Sequence, residues 1–228
     1  HSPHSLFGVM SSGISGHLGA DDYDSMYESR SALTTIQKQH FVEWFSGSAL
    51  DSIWNKTVVG SSTGAMADSV DGGYLITTGT ANNDRIELDF GQKRQYSKTG
   101  SRFIINAKMG ETTNLISQFG FMDNVHASYA NKAICGIWTA ASSTKFLWQS
   151  TGTSTSTNTS STLTTDTSPH IFEGVLSGSD FVGTTDGTAT ITITTNLPDL
   201  DMQPHVDMIN KGSVSRTFNV KYLECYNT

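Results

Sequence analysis

The charged residues with the most suggestive spacing lie in the segment Arg85-Ile86-Glu87-Leu88-Asp89-Phe90. Charged and apolar residues alternate there, which is the pattern of a β-strand, so Glu87 and Asp89 fall on one face. A pair of carboxyl groups on one face is the arrangement that cleaves glycosidic bonds. Gly91-Gln92-Lys93 follow and supply no further carboxylate. The pattern therefore favours a strand whose alternating charges face solvent.

The two cysteines, Cys135 and Cys225, are the other candidates for chemistry. They lie far apart in the chain, and no Cys-x-x-Cys or His-x-His pair exists, so a closed zinc site is not expected. We interpret them as two buried thiols that act as small hydrophobic residues. One alternative is a disulfide that ties the last strand to the middle of the fold. Another is a catalytic thiol, although neither cysteine has a histidine nearby in the sequence.

Composition limits the classes of partner. Of the 228 residues only 15% are charged, the formal net charge is −7, and the 14 basic residues are scattered. A nucleic-acid-binding surface needs clustered Lys and Arg side chains, so nucleic acid is not expected as a partner. No apolar run approaches the roughly 20 residues of a transmembrane helix, and a membrane partner is not expected either. The chain is instead rich in hydroxyl groups, with about 60 serine and threonine residues.

A period of two dominates the sequence from Phe41 onward. Asp186-Gly187 lies between two such segments, which is a strong signal for a β-hairpin. We predict about ten to twelve short strands and no long helix, a pattern that defines an all-β sandwich or barrel. The clearest predicted strands are 74–78, 85–90, 102–108, 134–138, 145–149, 170–176, 190–194 and 216–226.

Two segments depart from this pattern. Residues 1–40 are rich in Gly, Ser and His without a steady apolar period. We predict an extended N-terminal arm, with a short helix over 29–40, that becomes ordered only against the sandwich or a neighbouring subunit. Residues 41–228 are predicted to form the sandwich domain. Within it, the Ser/Thr tract at 150–167 fits either edge strands joined by a loop or one long exposed loop.

Short motifs follow one another in a characteristic order along residues 41–228. They are Leu50-Asp51-Ser52-Ile53-Trp54, Gly72-Gly73-Tyr74-Leu75, Phe119-Gly120-Phe121-Met122-Asp123, 181–187, Leu197-Pro198 and Gln203-Pro204. This order resembles the concanavalin A-like, or laminin-G-like, jelly-roll sandwich, especially the versions found in structural proteins of tailed bacteriophages. The resemblance implies a two-sheet antiparallel jelly-roll sandwich preceded by the N-terminal extended arm. It specifies the fold better than the function, because one fold hosts many functions.

The resemblance also raises the question whether the protein acts on carbohydrates, because this fold hosts glycoside hydrolases and polysaccharide lyases. The jelly-roll hydrolases carry a strand of the type Glu-x-Asp-x-x-Glu or Glu-x-Asp-x-Glu, and Glu87 and Asp89 match its first two carboxylates while the second Glu is missing. Arg85-Ile86-Glu87-Leu88 matches the Arg-x-Glu-Leu strand of the alginate lyases. Those lyases also need a Gln-x-His strand and a Tyr-rich segment, and we predict neither in this chain. We therefore predict that the protein is not an enzyme.

Two further expectations follow from the fold. Large aromatic residues dominate the core of a sandwich, so the tryptophans are expected in the core. Trp148, beside the Ser/Thr tract, is the expected exception that stacks on a sugar. The parent fold often binds calcium through loop oxygens, and the candidate ligands are Asp68, Asp71, Asp123 and Asn124. No other cofactor is expected.

These inferences lead to two hypotheses. The first is a non-enzymatic virion structural protein (a capsid decoration, tail or fibre component). It would assemble through its arm and sandwich surface into a homo-oligomer with other virion proteins, and the virion would be its location. The alternative is a glycan-binding module or lyase-like polysaccharide-active protein. Its ligand would be a cell-surface glycan, bound by Arg85, Glu87 and Trp148. An open groove with exposed aromatic residues around these three would favour the alternative.

Overall fold

The described part of the chain is built from strands. The computed structural model describes residues 40–67, 72–91, 93–123, 134–139, 141, 143–152 and 155–228. Those residues contain no helix, and hence none long and apolar enough to cross a membrane. The strands are β1 His40–Glu43, β2 Asn55–Val59, β3 Thr63–Met66, β4 Tyr74–Thr77, β5 Arg85–Asp89, β6 Gly100–Met109, β7 Leu115–Met122, β8 Ile134–Thr139, β9 Lys145–Thr151, β10 Ser156–Thr164, β11 Pro169–Ser177, β12 Phe181–Thr185, β13 Ala189–Ile193, β14 Gln203–Asn210 and β15 Thr217–Asn227.

The strands form two antiparallel sheets that pack face to face. The eight-stranded sheet has the order β13-β12-β11-β6-β15-β4-β3, with β1 also paired to β15. The seven-stranded sheet has the order β10-β9-β8-β7-β14-β5-β2. From β4 to β7 the chain alternates between the two sheets, as in a jelly roll. The predicted all-β, two-sheet jelly-roll sandwich is therefore confirmed, whereas the predicted arm and its helix lie outside the described residues, apart from His40.

The core lies between the two sheets and follows from the alternation of each strand. In β6 every second side chain is buried, with Phe103 and Ile105 pointing inward. Aromatic rings from the two sheets then meet across the sandwich. Phe103 contacts Phe121 of β7 at 5.3 Å between ring centroids, and Phe119 of β7 contacts Phe172 of β11 at 5.0 Å. These edge-to-face contacts hold the sheets together through apolar burial and ring packing.

Two predicted turns form where the sequence places them. Gly72 and Gly73 have φ values of 57° and 101° directly before β4, a conformation that costs other residues steric strain. A Cβ on Gly73 would also lie 2.1 Å from Asn219 Oδ1. Asp186 and Gly187 adopt φ values of 51° and 68° in the β12–β13 hairpin. That hairpin pairs Thr185 with Ala189, so its loop has three residues.

The Ser/Thr tract forms an edge of the seven-stranded sheet. Its residues complete β9 and form β10, which pairs antiparallel with β9 from Ser156 to Thr164. Most side chains of β10 alternate between exposed and half-buried. Of the two structures that the sequence left open, edge strands joined by a loop are observed.

Candidate functional site

One face of the seven-stranded sheet is polar and nevertheless buried. We call it the polar face. Its members are Glu87 and Asp89 of β5, Gln203, His205 and Asp207 of β14, Gln118 of β7 and Gln149 of β9, each at most 6% exposed. Their sequence neighbours Leu88, Val206 and Phe119 belong to the core between the sheets. Because successive strand residues point to opposite faces, the polar side chains point away from that core.

Carboxyl groups from two strands meet on the polar face. Glu87 of β5 is directly opposite Asp207 of β14, and Asp89 is opposite His205. Side chains in such directly opposed positions have Cβ atoms about 4.5–5.5 Å apart. Diagonally across the strands, His205 Nδ1 lies 3.6 Å from Glu87 Oε1. The arrangement brings two carboxyl groups side by side, with a third carboxyl and an imidazole next to them.

Asp89 is held in place by hydrogen bonds. Asn55 Nδ2 donates to Asp89 Oδ1 at 3.3 Å, and the Gly91 N–H donates to the same oxygen. Burial raises the pKa of Asp89, while the hydrogen bonds from Gly91 and Asn55 oppose that rise. A carboxyl group whose pKa is raised keeps its proton closer to neutral pH, which is the property of a general acid.

A strip without side chains runs beside these groups. Gly120 of β7 is opposite both His205 of β14 and Gly136 of β8, and Gly136 is opposite Gln149 of β9. Two glycines therefore separate His205 from Gln149 in one row across four strands. Gln118 Nε2 donates to Gln149 Oε1 at 3.0 Å, while Gln118 Oε1 is buried without a hydrogen-bond partner in the described structure. The strip is a flat floor bordered by imidazole and amide groups.

Two of the predicted binding residues, Arg85 and Glu87, lie on this face, but not in the predicted setting. Glu87 is 1% exposed and Asp89 is 0% exposed, whereas a solvent-facing strand of alternating charges was predicted. That prediction is wrong because the whole polar face around Glu87 and Asp89 is buried, so this side of β5 does not face solvent. Arg85, at the start of β5, is half-buried opposite Ile209 of β14.

Trp148, the third predicted binding residue, is not on this face. It is 0% exposed and packs in the core, 5.7 Å from Phe181 between ring centroids. The alternation of β9 sends Trp148 inward and Gln149 outward. Gly183 makes room for the indole, because a Cβ there would lie 2.3 Å from the Trp148 ring. The prediction that Trp148 stacks on a sugar is therefore wrong, and no open groove with this tryptophan exists.

His205 and Asp207 were missed from the sequence. The histidines are isolated from one another in the sequence, but Gln203-Pro204-His205 has the pattern of a Gln-x-His strand. A period of two applied to residues 203–207 would have placed Gln203, His205 and Asp207 on one face. The pairing of that strand with β5, which brings Asp207 to Glu87, has no local signal in the sequence.

The cysteines do not form a disulfide. Cys225 is a free thiol, fully buried in β15 of the eight-stranded sheet, and burial raises its pKa strongly. A buried thiol with a raised pKa is unreactive and packs as a small hydrophobic residue. Cys135 belongs to β8 of the seven-stranded sheet, and its side chain lies outside the described part of the structure.

The candidate calcium ligands remain largely untested. Asp68, Asp71 and Asn124 lie outside the described residues. Asp123 is buried, with its Oδ2 atom 3.8 Å from the Arg94 guanidinium. Within the described ranges, no group of three or more His, Cys, Asp or Glu side chains is arranged to hold a metal ion. Calcium binding stays a prediction.

A buried histidine links the Ser/Thr tract to the β12–β13 hairpin. His170 of β11 is 7% exposed, with Nδ1 2.7 Å from Asp186 Oδ2 and Nε2 2.9 Å from Asp166 Oδ1. Both ring nitrogens donate only when the imidazole is protonated. Burial alone lowers the pKa of His170, but the hydrogen bonds to Asp186 and Asp166 outweigh it and raise the pKa above 6.5.

We expect His170→Gln to remove a pH-dependent part of the stability. Because the folded-state pKa lies above the unfolded value of 6.5, the imidazolium stabilises the fold below pH 6.5, and this contribution is lost as the pH rises through the folded-state pKa. Burial alone raises the pKa of Asp166, but hydrogen bonds from Ser168 and His170 lower it below 3.8, so its contribution is lost only in acid. Urea unfolding at about pH 5.5 and about pH 8.5 should show the larger difference between wild type and variant at the lower pH. Equal differences in stability at the two pH values would contradict stabilisation of the fold by protonated His170.

Comparisons with known proteins place the fold. A scan against protein-family models and a search of curated proteins find no match. The structure is similar to a β-glucanase of Bacillus licheniformis (TM-score 0.61, 14% identity, 83% of this chain and 98% of that chain). It is also similar to the laminarinase catalytic domain of Thermotoga maritima (0.60, 11%, 82% and 97%) and to the Emp47p carbohydrate recognition domain (0.58, 10%, 83% and 95%). At such identities the likeness shows the fold, a concanavalin A-like jelly roll.

These neighbours overturn the prediction that the protein is not an enzyme. Solved structures with the same fold include glycoside hydrolases, among them the β-glucanase and the laminarinase. The prediction required a second carboxylate further along β5. The structure instead places Asp207 of the neighbouring strand opposite Glu87, so the missing group need not come from the same strand. The predicted link to bacteriophage virion proteins is not shown by these neighbours.

Proposed function

We propose that the protein is a polysaccharide-active enzyme that hydrolyses a glycosidic bond on the polar face. The observation that carries this proposal is the cross-strand pair of Glu87 and Asp207, with His205 3.6 Å from Glu87. Paired carboxyl groups are the groups that glycosidases use to protonate the leaving oxygen and to stabilise or attack the anomeric centre. The glycine strip beside them offers a flat floor for a sugar ring.

The direct opposition of Glu87 and Asp207 favours a retaining mechanism. Carboxyl groups about 5–5.5 Å apart support a covalent glycosyl intermediate, whereas inverting enzymes need about 6.5–9.5 Å to admit a water. The Cβ atoms of directly opposed residues lie about 4.5–5.5 Å apart, which allows the two carboxyl groups to approach to the shorter separation. We assign the nucleophilic attack to Glu87, which lies beside the His205 imidazole, with Nδ1 3.6 Å from Glu87 Oε1. Asp207 then protonates the leaving oxygen and afterwards takes a proton from the attacking water.

The charge of the site favours a neutral polysaccharide. Glu87, Asp89 and Asp207 concentrate carboxyl groups on one face, and these would repel the carboxylate of a uronate. The lyase-like alternative draws support from Arg85 and Glu87 in β5 and from His205 in β14. It nevertheless requires a site that neutralises a uronate, and the carboxyl groups act against this. Neutral β-glucans, the substrates named for the glucanase and laminarinase neighbours, are therefore the first to test.

The proposed reaction requires that a glycan can reach the buried groups of the polar face. Glu87, Asp207 and His205 are each at most 1% exposed. A glycan reaches them only when the polar face opens. Within such a closed site the exclusion of water strengthens the electrostatic interactions of the carboxyl groups.

The full chain, incubated with mixed-linkage β-1,3-1,4-glucan, laminarin and alginate, tests the proposal. We expect new reducing ends from a neutral glucan and none from alginate, and the first product seen by NMR should keep the anomeric configuration of the substrate. Unsaturated products from alginate, detected by ultraviolet absorbance, would instead establish the lyase. The absence of any product from all three polymers would count against catalysis on the polar face.

The location of the protein is a separate proposal. A virion component that forms homo-oligomers is predicted from the sequence alone, and a polysaccharide-active domain on a particle would act on cell-surface glycan. Mass spectrometry of purified particles tests this location, and detection only outside particles would contradict it.

A further inference from the structure

The outer face of the eight-stranded sheet carries an aromatic pair that the core does not use. Trp44, directly after β1, is 64% exposed, and its ring centroid lies 4.5 Å from that of Tyr222 in β15. The Tyr222 hydroxyl donates to Glu224 Oε2 at 2.6 Å, which fixes the ring. Together Trp44 and Tyr222 present apolar ring surface next to polar groups, outside the sandwich.

The alternation of β1 accounts for the exposure of Trp44. Val42 and Trp44 are exposed, whereas Phe45 is 1% exposed, so Trp44 continues the outward-facing set of the strand. The Phe45 ring packs 6.1 Å from the Trp54 ring. Phe45 has a φ of 48°, a left-handed conformation that a bulky residue adopts only under strain, and the extended segment ends there.

An unpaired amide oxygen lies on the same face. Asn106 of β6 is opposite Tyr222, and Lys108 is opposite Asn219 of β15. Asn106 Oδ1 is buried, and the described residues offer it no hydrogen-bond partner. Such an acceptor is unfavourable, so a ligand hydroxyl that meets it when the Asn106 side chain turns outward gains by satisfying it. Asn219 is instead held by the turn before β4, with Nδ2 donating to the Gly72 carbonyl oxygen at 3.3 Å.

A cavity lies near the aromatic pair. It has a volume of about 320 Å³ and is lined by Leu75, Lys108, Gly110, Thr167, Thr217 and Asn219. Asn106 and Lys108 are two residues apart on β6, so Tyr222 and the cavity are one strand repeat, about 7 Å, from each other. Cavities of about 300 Å³ or more are in the range that holds small ligands.

We propose that this outer face is a second carbohydrate site, in which sugar rings stack on Trp44 and Tyr222 and a hydroxyl group donates to Asn106. A pyranose has an apolar C–H face and a rim of hydroxyl groups, so it matches aromatic rings beside an unpaired acceptor. The 50° angle between the two rings suits a single twisted glycan chain better than a flat crystalline surface. The inference rests on the proposed function in taking a polysaccharide as the ligand, and the site lies on the sheet opposite to the polar face.

Oxidative footprinting of the full chain tests this site directly. With laminarin or mixed-linkage glucan added, we expect the oxidation of Trp44 to slow several-fold, while that of Val214, 58% exposed in the β14–β15 loop, stays unchanged. In calorimetric titrations, Trp44→Ala and Asn106→Ala should each weaken glucan binding by about tenfold, and the control Val214→Ala should not.

The outcomes separate this inference from the proposed function. Protection of Trp44 without any release of reducing ends would leave the second site standing and remove the hydrolase. Hydrolysis without protection of Trp44 would overturn the second site. Protection that depends on protein concentration and not on glycan would identify a second copy of the chain as the occupant, and it would overturn the carbohydrate site as well.

Discussion

Replacement of Glu87 by Gln, or of Asp207 by Asn, is expected to lower kcat/KM for glucan hydrolysis by about 10²- to 10⁴-fold. Both substitutions keep the volume of the side chain and remove its ability to exchange a proton or carry a negative charge. Glu87 and Asp207 are opposed across β5 and β14, so loss of either carboxyl disables the pair. Initial rates of reducing-end release at several substrate concentrations measure the effect.

A matched control comes from the other sheet. Glu173 of β11 forms an ion pair with Arg102 at 2.7 Å and lies far from the polar face in the fold. Glu173→Gln should leave kcat/KM within about twofold, since surface ion pairs contribute little. If Glu87→Gln and Asp207→Asn remain folded and hydrolyse glucan at the wild-type rate, the assignment of these carboxyl groups is wrong. A pH–rate profile that loses one limb in the Asp207→Asn variant would identify Asp207 as the acid.

The second large effect concerns the core. Trp148→Ala should lower the free energy of unfolding by about 3–5 kcal/mol, because it removes a large buried ring and leaves a cavity between the sheets. The ring is 0% exposed and packs against Phe181 and Gly183. Urea unfolding followed by far-ultraviolet circular dichroism gives the difference.

Two companion variants show whether the packing of Trp148 is responsible. Leu147 is half-buried and points to the other side of β9, so Leu147→Ala should cost clearly less than Trp148→Ala. Gly183→Ala should destabilise the fold by overcrowding instead of by leaving a cavity, since its new Cβ would lie 2.3 Å from the indole. A Trp148→Ala variant that is as stable as wild type but no longer binds glycan would restore the surface role that the structure excludes.

Much of the fold could be predicted from the sequence. The alternation at 102–108 and at 170–176, together with Gly72-Gly73 and Asp186-Gly187, predicted strands and turns that the structure contains. These are local properties, because side-chain alternation and backbone sterics act within a few residues. The placement of Glu87 and Asp89 on one face of a strand could be predicted for the same reason.

Only part of the candidate site could be predicted from the sequence. A period of two says that Glu87 and Asp89 share a face, but it does not say which face is inside. Trp148 was expected outside because it borders the Ser/Thr tract, but its set of alternate side chains packs on the core. The side that faces the core is decided by the register with neighbouring strands and by the apolar surface of the other sheet.

The alternation in the sequence determined that this chain forms the short strands of an all-β sandwich or barrel and that β5 carries two carboxyl groups on one face, and the family resemblance implied the two-sheet jelly roll. Only the tertiary structure decided that β14 lies beside β5, which brings Asp207 opposite Glu87 and His205 opposite Asp89. It alone decided that, among the tryptophans whose side chains the structure describes, Trp44 lies outside and Trp148 lies in the core. The physical reason is that strand pairing between distant segments is selected by the burial of the whole core, which no local pattern contains.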